Sequence, residues 1–162
     1  MVYYTDGGCN NNGYFPNKGG YGVVAFDDDE KYVINAWSQL SENTTNNREE
    51  MKAILFVMDN FGVKVDEWYQ GEVPCVFTDS AYAYNTFTNW MFSWAKNGWT
   101  KSDGATPENL DIVQCFYDLY KKGYRIDLAK IKGHDGVLGN ELADQLATNK
   151  LTPKEVLNKY GK

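Results

Sequence analysis

Residues 45–60 read TNNREEMKAILFVMDN, and this stretch decides the architecture. Met51, Ile54, Leu55 and Met58 recur at i, i+3, i+4 and i+7, the spacing that lines one face of a helix. A helix is therefore predicted over Thr45–Asn60. Before it lie three predicted strands, Met1–Thr5, Tyr21–Phe26 and Lys31–Gln39. A Gly- and Asn-rich turn, Gly7–Gly20, joins the first two, and Asp27, Asp28 and Asp29 form the tight turn between the second and third. After the helix comes another short buried strand, Val73–Thr78, with Pro74 near its start. The helix is thus a crossover between strands, which makes its neighbours parallel and the sheet mixed.

Working outward, helices are predicted over Asn85–Lys96 and Pro107–Lys122. Pro107 suits a first helical turn and Gly123 a stop. Tyr124–Ile131 alternates as a fifth strand, and Leu138–Lys150 is the last main helix. Thr152, Pro153 and Glu155 form a capping box for a short helix ending near Tyr160. The order is βββ-α-β-α-α-β-α, an α/β fold with a five-stranded mixed sheet flanked by helices. One domain is expected over residues 1–150, with residues 151–162 a short helical tail.

Composition narrows the classes. The 162 residues are 43% hydrophobic and 15% aromatic, enough for one packed core and contrary to disorder. No apolar run approaches the roughly 20 residues that span a bilayer, and no signal-peptide pattern is visible. Cys9, Cys75 and Cys115 are odd in number and contain no Cys-x-x-Cys pair, which argues against a disulfide framework or zinc site. A reducing, cytoplasmic setting and a monomer are the expectation. The net charge of −6 disfavours a generic nucleic-acid binder. It does not disfavour carboxylates gathered around a divalent cation, whose charge offsets theirs.

Four acidic positions stand out. Asp6 lies in or at the end of strand one, and Asp79 at the end of strand four, where ligands collect in mixed α/β sheets. Either alone also reads as a turn or cap aspartate. Glu49 and Glu50 open the first helix, and both have capping-box spacing, from Asn46 and Asn47 respectively. At roughly 100° per residue, Glu50 lies about 90° from the centre of the apolar stripe and Glu49 about 170°. Glu50 can therefore aim at the sheet, and Glu49 is predicted to face solvent. Asp144 and Glu141 both avoid the Leu138/Leu142/Leu146 stripe, so periodicity does not separate them. Carboxylates without His or Cys partners suit Mg²⁺ or Mn²⁺, and two such ions can clamp an in-line phosphoryl displacement.

Tyr4-Thr5-Asp6-Gly7-Gly8-Cys9, Gly19-Gly20-Tyr21-Gly22, Thr44-Thr45-Asn46-Asn47-Arg48-Glu49-Glu50, Thr78-Asp79-Ser80, Lys132-Gly133-His134 and Asn140-Glu141-Leu142-Ala143-Asp144 occur in that order. Together, over about residues 1–150, they resemble the ribonuclease HI family. The resemblance implies endonucleolytic hydrolysis of the RNA strand of RNA–DNA hybrids with two Mg²⁺ ions, or Mn²⁺. It implies Asp6, Glu50, Asp79 and Asp144 as metal-binding and catalytic carboxylates. The family helix motif, Thr-Asn-Asn-Arg, one residue, then Glu, agrees with periodicity in selecting Glu50. His134, the sole histidine, matches the family's mobile-loop histidine, which helps proton transfer or product departure. Asn46, Asn47 and the backbone near Cys9 resemble its minor-groove contacts, joined by one of Asn10, Asn11 and Asn12. Thr45 and Arg48 resemble the part that engages a DNA phosphate.

Two departures stand out. Ala81 replaces the polar residue that often follows the Asp-Ser pair. The stretch matching the family's basic handle, Trp90–Pro107, holds three tryptophans but only Lys96 and Lys101, with Asp103 opposing them. Few phosphate contacts are expected there. A transposase-, resolvase- or exonuclease-like relative on the same fold is disfavoured by the Thr-Asn-Asn-Arg segment, and a catalytically silent domain by the intact carboxylates. The start at strand one and the capped last helix suggest a complete protein rather than a domain cut from a reverse transcriptase.

Overall fold

The protein is described by a computed structural model covering residues 1–162. Strands β1 (Val2–Cys9), β2 (Lys18–Phe26) and β3 (Val33–Glu42) form the antiparallel meander. Helix α1 (Asn46–Phe61) carries the chain across to β5 (Cys75–Thr78), which pairs parallel with β1. Strand β7 (Asp127–Lys130) pairs parallel with β5, giving the order β3-β2-β1-β5-β7. Two-residue strands β4 (Val63–Lys64) and β6 (Tyr124–Arg125) form a separate antiparallel pair. The remaining helices are α2 (Ala81–Asn85), α3 (Met91–Lys96), α4 (Leu110–Lys121), α5 (Leu138–Ala147) and α6 (Pro153–Tyr160).

Helices cover both sheet faces, so the inner strands are apolar on both sides. Tyr3, Tyr21, Val23, Ala25 and Val76 pack with Ala53 and Val57 of α1. Tyr4, Val24 and Phe26 pack with Leu142, Ala143 and Leu146 of α5 and Val156 of α6. The opposite side of α1, Met51, Ile54 and Met58, buries itself against Ala83, Phe87, Met91, Ile112, Val113 and Phe116. Truncating one of these fully buried aliphatic side chains to alanine costs about 2–5 kcal/mol. Close approaches bring helices onto the sheet at the site. A Cβ at Gly7 would lie 2.3 Å from the Glu49 carbonyl carbon, and one at Gly22 would lie 2.5 Å from the Ala143 carbonyl oxygen. Any side chain at Gly7 would push the first turn of α1 off β1.

Several element boundaries differ from the sequence reading. Strand β1 runs on to Cys9 and β2 starts at Lys18, because Gly7 and Gly8 still pair with Tyr21 and Gly20; their glycines had the composition of a turn. Asp6 therefore sits inside a strand, opposite Gly22. The expected Asn85–Lys96 helix starts at Ala81, capped by the Ser80 hydroxyl, and passes through a π-helical turn at Thr86–Trp90. Pro107 precedes α4 rather than opening it, since Asn109 adopts a left-handed conformation and the helix begins at Leu110. The fifth strand breaks at Ile126, its first part pairing with β4 and its second with β5. Helix α5 ends at Ala147, three residues short of Lys150. The capping box of α6 forms as read, Val156 is buried, and Gly161 bridges to Val33. No helix is long and apolar enough to cross a membrane.

Candidate active site

Three carboxylates meet where the parallel strands end. Asp6 comes from β1, Glu50 from the first turn of α1, and Asp79 from the residue after β5. One oxygen from each lies within 4.8 Å of the others. Asp6 and Glu50 are buried and Asp79 half-buried. No lysine or arginine forms an ion pair with any of them. Glu50 Oε2 is buried with no hydrogen-bond partner. An orphaned, desolvated acceptor among two other carboxylates is unfavourable alone and becomes favourable around a cation.

The strain shows in proton affinity. Burial, the charge of Asp6 and a hydrogen bond to it push the Glu50 carboxyl well above the usual carboxylate range, with Asp79 adding to the effect. Burial pushes Asp6 up to about 7; the Glu50 hydrogen bond and the Gly7 N–H oppose this, and the charges of Asp79 and Asp144 add to it. Both carboxyls are held above the usual range chiefly by burial, and two groups this close titrate as a pair.

Asp144 is half-buried on α5 and close enough to press on Asp6, but it stands outside the three-oxygen cluster. Glu141 is exposed, which separates two residues that periodicity could not. Asn140 is a participant the sequence reading quoted without a role. It is buried, and its Nδ2 donates to Asp79 Oδ2 at 3.2 Å while its Oδ1 accepts from the His134 backbone N–H at 3.2 Å. A Cβ at Gly133 would lie 2.8 Å from Asp79 Oδ2, so the loop backbone also backs that carboxylate. His134 itself is exposed and left-handed, with φ 57°.

Glu49 corrects the prediction that it faces solvent. It is fully buried, accepting from Ser41 Oγ at 2.8 Å, Thr44 Oγ1 at 2.6 Å and Lys52 Nζ at 3.1 Å. Periodicity located it opposite the Met51/Ile54/Met58 stripe correctly, but that stripe packs on the helical layer; the side Glu49 shares with Ala53 and Val57 is the one that faces the sheet, where the end of β3 and the Thr44 corner enclose it.

The residues expected to meet a substrate surround the same turn. The Thr45 hydroxyl caps α1 by accepting from the Arg48 N–H at 3.1 Å. Asn46 Oδ1 accepts from the Cys9 N–H at 2.8 Å, and Asn12 Oδ1 accepts from the Asn46 N–H at 2.9 Å. With both oxygens turned inward, the amide nitrogens of Asn46 and Asn12 are free to donate outward. Asn10 instead receives the Lys18 N–H, so among the three asparagines it is Asn12 that joins Cys9 and Asn46. Arg48 forks onto Asp111 at 2.8 and 3.1 Å and reaches Asn109 Oδ1 at 3.4 Å. The pair holds the guanidinium pKa up and the Asp111 carboxyl down. Neither Asn109 nor Asp111 was singled out from the sequence; the left-handed Asn109 at a helix start had no composition signal. In the handle-like stretch, Trp94 is buried, Trp99 lies edge-on to Tyr117, and the more exposed Trp90 lies edge-on to Tyr82, so all three tryptophans pack on neighbouring rings or in the core.

Comparison with known proteins agrees with this geometry. The RNase H family model matches residues 1–152. The chain belongs to the RNase H family. It is 36% identical to the ribonuclease H of Orientia tsutsugamushi (strain Boryong) across 147 residues, 90% of this chain and 79% of that one. Among solved structures it resembles LC9-RNase H1, described as a type 1 RNase H with the type 2 active-site motif. The TM-score is 0.70 and the identity 27%, covering 91% of this chain and 70% of that one. LC11-RNase H1, solved with an RNA/DNA hybrid, shares the fold at a TM-score of 0.64 and 20% identity, covering 91% and 94%. The acidic triad is consistent with the metal-dependent active site of an RNase H.

Proposed function

We propose that this chain, as a cytoplasmic monomer, cuts the RNA strand of RNA–DNA hybrids at the Asp6/Glu50/Asp79 cleft. Asp6, Glu50, Asp79 and Asp144 would hold two Mg²⁺ ions, with Mn²⁺ as a substitute. The observation that carries this is the pairing of buried, mutually repelling carboxylates with an orphaned Glu50 oxygen and no protein cation to relieve them. Oxygen-only donors fit a hard divalent ion. When bound, such ions supply positive charge that stabilises an in-line displacement at a phosphodiester.

The chain's own groups do the rest. Because burial raises the proton affinity of Asp6 and Glu50, cation binding among these carboxylates is coupled to proton release. Asn140 orients Asp79 by occupying one of its oxygens. The same Asn140 tethers the His134 backbone, leaving that imidazole free beside the site to pass a proton as the product leaves. Around the helix turn, Asn46, Asn12 and Asn47 offer side-chain amides to minor-groove acceptors and 2′-hydroxyls, the features that mark a hybrid, while the Cys9 N–H holds Asn46 in place. Thr45 and Arg48 face a DNA phosphate.

Hydrolysis of a labelled hybrid beside duplex DNA, with Mg²⁺ and with chelator, tests this reading. RNA-strand cleavage only with hybrid and metal is expected; cleavage with chelator, or of duplex DNA equally, would overturn it.

A further inference from the structure

The β1–β2 loop, Asn10–Asn17, is firmly tied at its base and bare at its tip. Asn17 is buried, its Nδ2 donating to the carbonyls of Thr44 and Asn11 and its Oδ1 accepting from the Thr44 N–H. Asn10 Oδ1 holds the Lys18 N–H, and Asn12 Oδ1 holds the Asn46 N–H. These bonds fix the loop against Thr44 and Asn46, at the end of β1 that carries Asp6. Yet its tip shows two adjacent aromatic rings to solvent, Tyr14 at 77% exposure and Phe15 at 63%. Neither ring packs on another aromatic. A neighbouring aromatic pair is expensive to display in water and marks a contact surface when it adjoins one.

We infer that Tyr14 and Phe15 extend the hybrid-binding face, packing on the sugar edges of the minor groove next to Cys9, Asn12 and Asn46. This rests on the function proposed above. It also answers a deficit. A chain of net charge −6, with Lys96 and Lys101 the only cations in its handle-like stretch, has few phosphate contacts to offer. Ring-to-sugar packing adds affinity without releasing counterions, so its contribution does not depend on salt.

The test uses the full chain carrying Asp79→Asn, without metal, and a fluorescent hybrid titrated across a salt series. Adding Tyr14→Ser and Phe15→Ser should weaken binding about tenfold at every salt concentration, with the slope of log affinity against log salt unchanged. Trp68→Ser, at an exposed aromatic in the segment leading into the start of β5, should change neither. Superposable lines for the double variant and its parent would overturn the inference, as would a weakening that appears only at one end of the salt range. A parent chain that neither binds nor, with Asp79 restored, cleaves the hybrid would overturn the functional reading itself. Circular dichroism of the double variant should match the parent, because both rings are exposed.

Discussion

Two regions flank one turn of α1, each built on a buried glutamate. On the β3 side, Glu49 has three donors, one of them the Lys52 ammonium. On the β1 side, Glu50 has a buried oxygen with no partner and two other carboxylates beside it. A buried acid that is fully satisfied holds structure together, whereas one left in conflict stores a demand for a ligand. Adjacent residues of the same type therefore divide the labour, and burial alone does not tell them apart.

The sharpest way to break this contrast is to neutralise the frustrated side. Asp6→Asn or Asp79→Asn should lower hybrid cleavage by at least about a thousandfold, as expected when a charge-stabilising group is lost at an active site. The melting temperature without metal should hold or rise, since repulsion is relieved. Near-normal turnover by either variant would show that the cluster is not the site.

A smaller effect is expected at its edge. His134→Ala should slow cleavage by about ten- to a hundredfold without abolishing it, because the imidazole assists proton movement while the carboxylate cradle remains. Complete inactivity under saturating Mg²⁺ would make it an obligatory acid or base.

On the satisfied side the change should appear in stability instead. Glu49→Ala leaves Ser41 and Thr44 without their acceptor and Lys52 with only Ser41 Oγ, and should cost about 2–3 kcal/mol. Chemical denaturation would measure it; an unchanged midpoint would mean the corner does not need its charge.

The frustrated side also carries a pH response. Asp6 is raised from 3.8 to about 7 in the folded chain, so the native state holds protons that the unfolded state has released. The stabilisation from that proton is complete below about pH 4 and is lost as pH rises towards 7. In chelator, stability should therefore fall across that window, and Mg²⁺ should offset the loss at its upper end. Glu50→Gln should flatten the fall. A wild-type curve that rises instead would reverse the assignment.

The sequence made much of this legible. Period and spacing placed α1, the crossover and the mixed sheet, and Glu50 on the sheet-facing flank, because those follow from local repeats. Glu49 was misplaced because helical periodicity reports direction, not what another strand later brings there. The same limit hid Asn140, Asn109 and Asp111, whose roles arise from contacts with residues distant in sequence: Asn140 is 61 residues from Asp79, and Asp111 is 63 from Arg48. Strand β1 was cut short because Gly7 and Gly8 have the composition of a turn but are needed in a strand where α1 presses close.

The most direct measurement compares neighbours. Glu49→Gln and Glu50→Gln should be assayed side by side on a labelled RNA–DNA hybrid with saturating Mg²⁺. Glu49→Gln keeps an acceptor for Thr44 and should retain cleavage within a few-fold of the parent. Glu50→Gln should fall by at least about a thousandfold while remaining folded. Equal activities for the two variants would contradict the account.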